Sequence, residues 1–127
     1  MPLTILLVDD NPIQVETRRA ILTHSGNKIL VAEDAQKALA LLDNPEFAKN
    51  VGLVITDHLM PRMNGLQFVI RLRRLLPEIS VLVLSGLPGA EAEYSDLNVL
   101  YRLKPLDPEE LIRLVQALSE KVLGRTA

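Results

Sequence analysis

Asp9 and Asp10, Asp57, Ser85 and Lys104 are the side chains whose types and positions could do chemistry, because each closes a short apolar run. Those runs read "TILLVDD" at residues 4–10, "VGLVITD" at 51–57, "ISVLVLSG" at 79–86 and "NVLYRLKP" at 98–105. Singly, each ending has an ordinary explanation: an Asp caps a helix, a Ser ends a turn, a Lys is surface charge. Four such endings on one rim of one sheet are harder to dismiss. At about 5 Å and an effective dielectric near 20, two carboxylates repel by roughly 3 kcal/mol, so three together would raise one another's pKa and take up protons. A divalent cation removes that repulsion. An all-oxygen site without His or Cys suits a hard ion such as Mg²⁺, which keeps several waters and accepts one or two carboxylates. The room left on such an ion suits a phosphoryl group, with Asp57 as nucleophile, Lys104 as a point charge and Ser85 as a hydroxyl donor.

A fifth run, "KILVAED" at 28–34, completes the set of elements that must hold these groups. All five runs are rich in Val, Ile and Leu without polar alternation, as expected of parallel strands buried on both faces. Helical signals fill the gaps. The first helix has Pro12 near its start and Gly26 as a stop, and the second follows Asp34, for which Glu33-Asp34 is read as capping. The third follows Asn64 and runs through "LQFVIRLRRLL" to Pro77. The last opens on "DPEE", with Asp107 as cap and Pro108 at N1, then repeats apolar residues at Leu111, Leu114, Val115, Leu118 and Val122. That alternation predicts an α/β fold, a single doubly wound (βα)₅ domain whose ligand site lies beyond the carboxyl ends of its strands.

Composition narrows the function classes. The chain has 127 residues, 48% of them hydrophobic and 24% charged, which suits one domain and excludes disorder. Net charge is −2, and the 14 basic residues are dispersed, which argues against a nucleic-acid surface. The nearest cluster, Arg62, Arg71, Arg73 and Arg74, is read as a solvated helix face. The absence of cysteine excludes disulfides and thiolate metal sites. No basic leader and no apolar run of about 18 residues is present, so the expected location is cytoplasmic, away from any membrane. With neither GxxxxGK[ST] nor GxGxxG there is no cradle for a nucleotide, so a phosphoryl donor must come from elsewhere.

The stretches "ILLVDDNP", "LVITDHLMPRMNG", "VLVLSG" and "YRLKPLDPEEL" resemble the receiver domain of bacterial two-component response regulators. The resemblance runs over about residues 3–123 and implies a flavodoxin-like five-stranded sheet of order 2-1-3-4-5. It implies Asp57 as acceptor of phosphate from a sensor histidine kinase, a histidine phosphotransfer protein or a small phosphodonor. Asp10 would ligate Mg²⁺ directly, Asp9 mainly through water, and Asp57 and the Leu59 carbonyl would complete the protein ligands. Ser85 takes the role of switch hydroxyl, Lys104 of phosphate-contacting cation in a commonly cis Lys104-Pro105 peptide, and Tyr101 of rotating aromatic. The face of the fourth helix, fifth strand and fifth helix would report the switch. By the same resemblance the chain is a signalling phosphoacceptor, monomeric or weakly dimeric, without an output domain.

Other residues fit lesser roles. His58 should point away from Asp57 as a packed or partly exposed histidine, His24 should close the first helix, and Met60, Met63, Pro61 and Gly65 should shape a loop. The bland reading of Tyr101 is a half-exposed strand tyrosine. A haloacid-dehalogenase-type phosphatase would want first-strand acids two apart, whereas these are adjacent. A receiver-like binding module with dead chemistry would show losses at the key positions. The segment "GLPGAEAEYSDLNVLYRL" departs from the family pattern in being short and broken by Pro88-Gly89, so the fourth helix should be short or irregular.

Overall fold

The computed structural model describes residues 4–126, with side chains through residue 120. Its strands are β1 (Thr4–Val8), β2 (Lys28–Ala32), β3 (Leu53–Asp57), β4 (Ser80–Ser85) and β5 (Leu100–Leu103), all parallel, in the order β2-β1-β3-β4-β5. The helices are α1 (Pro12–His24), α2 (Ala35–Leu42), α3 (Pro45–Ala48), α4 (Gly65–Leu75) and α5 (Pro108–Thr126). Val122, the last apolar position expected of α5, has its side chain outside the described residues.

Strand pleating sorts the core into two layers, because successive side chains face opposite sides. Leu6, Val8, Val54, Val81 and Val83 face α2 and α4, where Phe68, Val69 and Leu72 meet them. Ile5, Leu7, Leu53, Ile55, Leu82 and Leu84 face α1 and α5, against Leu22, Leu111 and Val115. Each fully buried aliphatic side chain contributes roughly 1.5–3 kcal/mol. The central strands β1, β3 and β4 are buried on both faces, but the edge strands β2 and β5 are only partly covered. Continuous burial therefore fails at the edges, where Val31 and Leu103 reach solvent.

Helix starts follow local chemistry. Asn11 accepts from the Ile13 and Gln14 amides, Asp34 from Lys37, and Asn64 forms a reciprocal capping box with Gln67. The one-turn α3, capped by Asn44, is an element the strand and helix signals missed. Between β4 and β5 the expected helix shrinks to a single 3₁₀ turn at Ala90–Tyr94, entered through Gly89 at φ 90°.

One expectation is corrected here. Arg62, Arg71 and Arg74 are exposed, but Arg73 is no solvated residue. Its guanidinium donates to the carbonyls of Leu76, Ile79, Leu97 and Asn98, closing the end of α4 and tying it to the loop before β5. Four carbonyl acceptors in a loop outcompete water for a fork of five N–H donors.

Candidate functional site

Pleating also decides which polar groups meet at the carboxyl rim. Asp57 continues the Leu53–Ile55 side of β3, which faces α1 and α5, and one residue later His58 turns to the opposite side. Asp57 is 2% exposed, and its Oδ1 lies 2.8 Å from Lys104 Nζ and 3.4 Å from Arg18 Nη1. Neither approach has the direction of a good hydrogen bond, so that oxygen keeps an unfilled acceptor site. Asp9, 3% exposed, accepts from the Asn11 amide and takes Arg18 Nη1 at 2.8 Å.

Burial pushes the Asp9 carboxyl up to about 7; a hydrogen bond with Asp57 and that residue's charge push the same way, against the Asn11 amide and Arg18. Asp9 is thereby held protonated well above the usual carboxylate range.

Asp10 stands apart from this pair, exposed at the mouth of a cleft of about 580 Å³ that Asp9, Pro12, Glu33 and Arg62 also line. Among the described residues no three acidic or histidine side chains are grouped tightly enough to hold a metal as they stand. The donor chemistry nevertheless fits a hard cation: two buried carboxylates, one with an unfilled oxygen, and a third at the entrance. Leu59, whose carbonyl is expected beside them, is 60% exposed.

Ser85 and Tyr101 are joined through one residue. Ser85 Oγ accepts from the Leu87 amide at 3.0 Å, and Tyr101 Oη donates to the Leu87 carbonyl at 3.0 Å. Tyr101 is 6% exposed and leans on Tyr94, so the half-exposed reading of it is wrong: the short 3₁₀ turn brings Tyr94 over the ring. The Lys104-Pro105 peptide is cis.

Sequence reasoning missed two groups. Gln14 Oε1 accepts from both Lys104 Nζ at 2.8 Å and Arg18 Nη2 at 2.9 Å. Arg18 carried a signal: with Val15 and Leu22 it marks the i, i+3, i+7 inward stripe of α1, where a cation is out of place.

Behind the rim, the 5% exposed His58 is packed as expected, and its Nδ1 meets Tyr94 Oη at 2.6 Å. Burial pushes the Tyr94 hydroxyl pKa up, so it stays protonated. Tyr94→Phe keeps the ring and strands a buried imidazole nitrogen, and should lower stability by about 1–2 kcal/mol. A urea unfolding midpoint equal to that of wild type would contradict the bond's contribution.

The family model for the response regulator receiver domain matches residues 5–116. The chain belongs to that family. It resembles a receiver protein from Pseudomonas putida, of known crystal structure, at 30% identity and TM-score 0.82, over 92% of this chain and 98% of that one. A Methanospirillum hungatei receiver of 21% identity, with TM-score 0.88 over 98% of this chain and 99% of that one, shares the fold. Among curated proteins, response regulator MprA of Mycolicibacterium vanbaalenii is 32% identical over 93% of this chain, and an uncharacterized 14.6 kDa protein of Leptolyngbya boryana is 37% identical over 88%. This receiver spans 86% of the Leptolyngbya protein, 51% of MprA and 21% of an Arabidopsis thaliana relative. It is a two-component signalling domain, and no described helix is long and apolar enough to cross a membrane.

Proposed function

We propose that Asp57 is the phosphoacceptor of a cytoplasmic two-component relay, charged by a sensor histidine kinase or a histidine phosphotransfer protein and read out through protein contact. The observation that carries this is Asp57 itself: a buried carboxylate at the end of β3 with an unfilled acceptor oxygen, facing an ammonium and a second carboxylate. A carboxylate oxygen of Asp57 attacks phosphorus; the bond from phosphorus to the donor's imidazole nitrogen breaks, and that nitrogen leaves with the bonding pair and takes a proton. Lys104 offsets charge on the incoming phosphoryl oxygens, while burial beneath the rim limits water.

Asp9, Asp10, Asp57 and the Leu59 carbonyl would hold Mg²⁺, which when bound neutralises the carboxylates and the phosphoryl oxygens.

Readout would run through Leu87. A phosphoryl on Asp57 offers new acceptors to the Ser85 hydroxyl, and its turning toward them releases the Leu87 amide. The same residue anchors Tyr101, so the loop, the 3₁₀ turn, β5 and α5 form the face that changes. Leu87 is 42% exposed and available to a partner.

Incubation with a small phosphodonor and Mg²⁺, followed by intact mass measurement, tests the reading. Wild type should gain one phosphoryl group and Asp57→Asn none, with labelling suppressed by a chelator. An unmodified wild type, or equal mass gains in the two proteins, would overturn it.

A further inference from the structure

Arg18 is the least expected member of the site. Its side chain is 12% exposed, and its guanidinium lies 2.8 Å from Asp9 and 3.4 Å from Asp57 and is steadied by Gln14, one turn earlier on α1. Gln14 also receives Lys104, so Asp9, Arg18, Gln14, Lys104 and Asp57 close a ring in which two cations face two buried carboxylates. Each carboxylate of that ring thus already has a cation in contact without any added ion.

A divalent cation entering beside Asp9 and Asp57 would meet Arg18 in its way. Like charges at such distances in a partly buried site repel strongly, and both carboxylates cannot serve the guanidinium and the metal in full. The side chain is long, and Arg18 is close enough to the surface for its head to swing into water.

We propose that Arg18 is a built-in competitor for the metal: it occupies the acidic pocket in the metal-free chain, is displaced when Mg²⁺ binds, and so sets the concentration at which the receiver becomes competent. This rests on the proposed reading of the pocket as a Mg²⁺ site. It assigns Arg18 a positioning role exercised through Asp9 and Asp57, and no contact with the phosphoryl group is required of it.

The test is Mg²⁺ titration of the whole chain by isothermal calorimetry, for wild type, Arg18→Gln and Arg19→Gln. Arg19 is exposed and removes the same charge without touching the pocket, so it controls for long-range electrostatics. Arg18→Gln should bind Mg²⁺ roughly tenfold tighter than wild type, with Arg19→Gln changed by less than about twofold. Metal-free Arg18→Gln should also melt lower than wild type, and saturating Mg²⁺ should remove the gap. Equal affinity for Arg18→Gln and wild type, or equal tightening in Arg19→Gln, overturns the competitor role and leaves the metal site standing. Absence of Mg²⁺ binding in every protein overturns both. If Arg18→Gln does not fold, the wild-type Arg18 Nε–H resonance decides: it should move to a solvent-exposed position as Mg²⁺ is added, and an unmoved resonance at saturation overturns the proposal.

Discussion

Gly65→Ala is expected to destabilise the chain by about 3 kcal/mol, although the position opens a helix, where Ala would ordinarily gain up to about 1 kcal/mol. Space decides the sign. A β-carbon there would lie 2.5 Å from the Asp57 carbonyl oxygen, 2.9 Å from His58 Cα and 2.9 Å from Tyr94 Oη. The first two are backbone atoms of β3's end, and the Gly65 amide is itself bound to the His58 carbonyl at 2.7 Å, so neither side can retreat without breaking that bond. Backbone conformation is not the reason, since Gly65 is absent from the left-handed residues Arg62, Asn98, Gly26 and Gly89. The same clash pushes on Asp57, the proposed phosphoacceptor, from behind, so Gly65→Ala should also slow its labelling. Urea unfolding followed by circular dichroism checks the first effect, and a midpoint at or above wild type would show that the close approach is not a constraint.

Gly65 illustrates what was legible in the sequence. Gly65 is expected to shape a loop, but Asn64 caps α4 and Gly65 is its first residue, and the demand for glycine comes from the end of β3, which no local pattern reports. The sheet order and all five strands followed from apolar runs and the family resemblance, since central strands leave an unmistakable continuous signal. Asp57, Lys104 and Asp9 were legible because each closes a run, and closing a run of a parallel sheet sets a residue on the common rim. Arg73 and Tyr94 were not. Arg73 reaches Leu97 and Asn98, 24 and 25 residues away, besides the nearer Leu76 and Ile79, and Tyr94 reaches His58, 36 residues away, so the neighbouring sequence does not encode these long-range partners. Arg18 falls between the two cases, visible as an interruption in an inward stripe but unassignable until the loop ends were in place.

Asp9 gives the second large effect, a pH dependence of metal-free stability. Its carboxyl is pushed from 3.8 up to about 7, first by burial and then by Asp57. A group whose folded pKa is raised binds more protons in the folded chain than in the unfolded one throughout that window. Its contribution is therefore complete below about pH 4 and is lost as pH rises through about 7. At 1.36 kcal/mol per unit, the loss is on the order of 4 kcal/mol at most. Asp9→Asn keeps a neutral side chain of the same shape at every pH, so the two proteins should be similarly stable near pH 4, diverge between about pH 4 and 7 and stay apart above that, with the Asn variant the more stable. Comparing the two unfolding curves at several pH values cancels the titrations they share. Mg²⁺ should reverse the ranking above pH 7, because the wild-type pocket then has a cation to offset its charge and the variant has lost a ligand. A wild type that gains stability relative to Asp9→Asn as pH rises without metal would mean that Arg18 and the Asn11 amide outweigh burial at Asp9. The pocket would then hold two ionised carboxylates without metal, balanced by Arg18 and Lys104 alone.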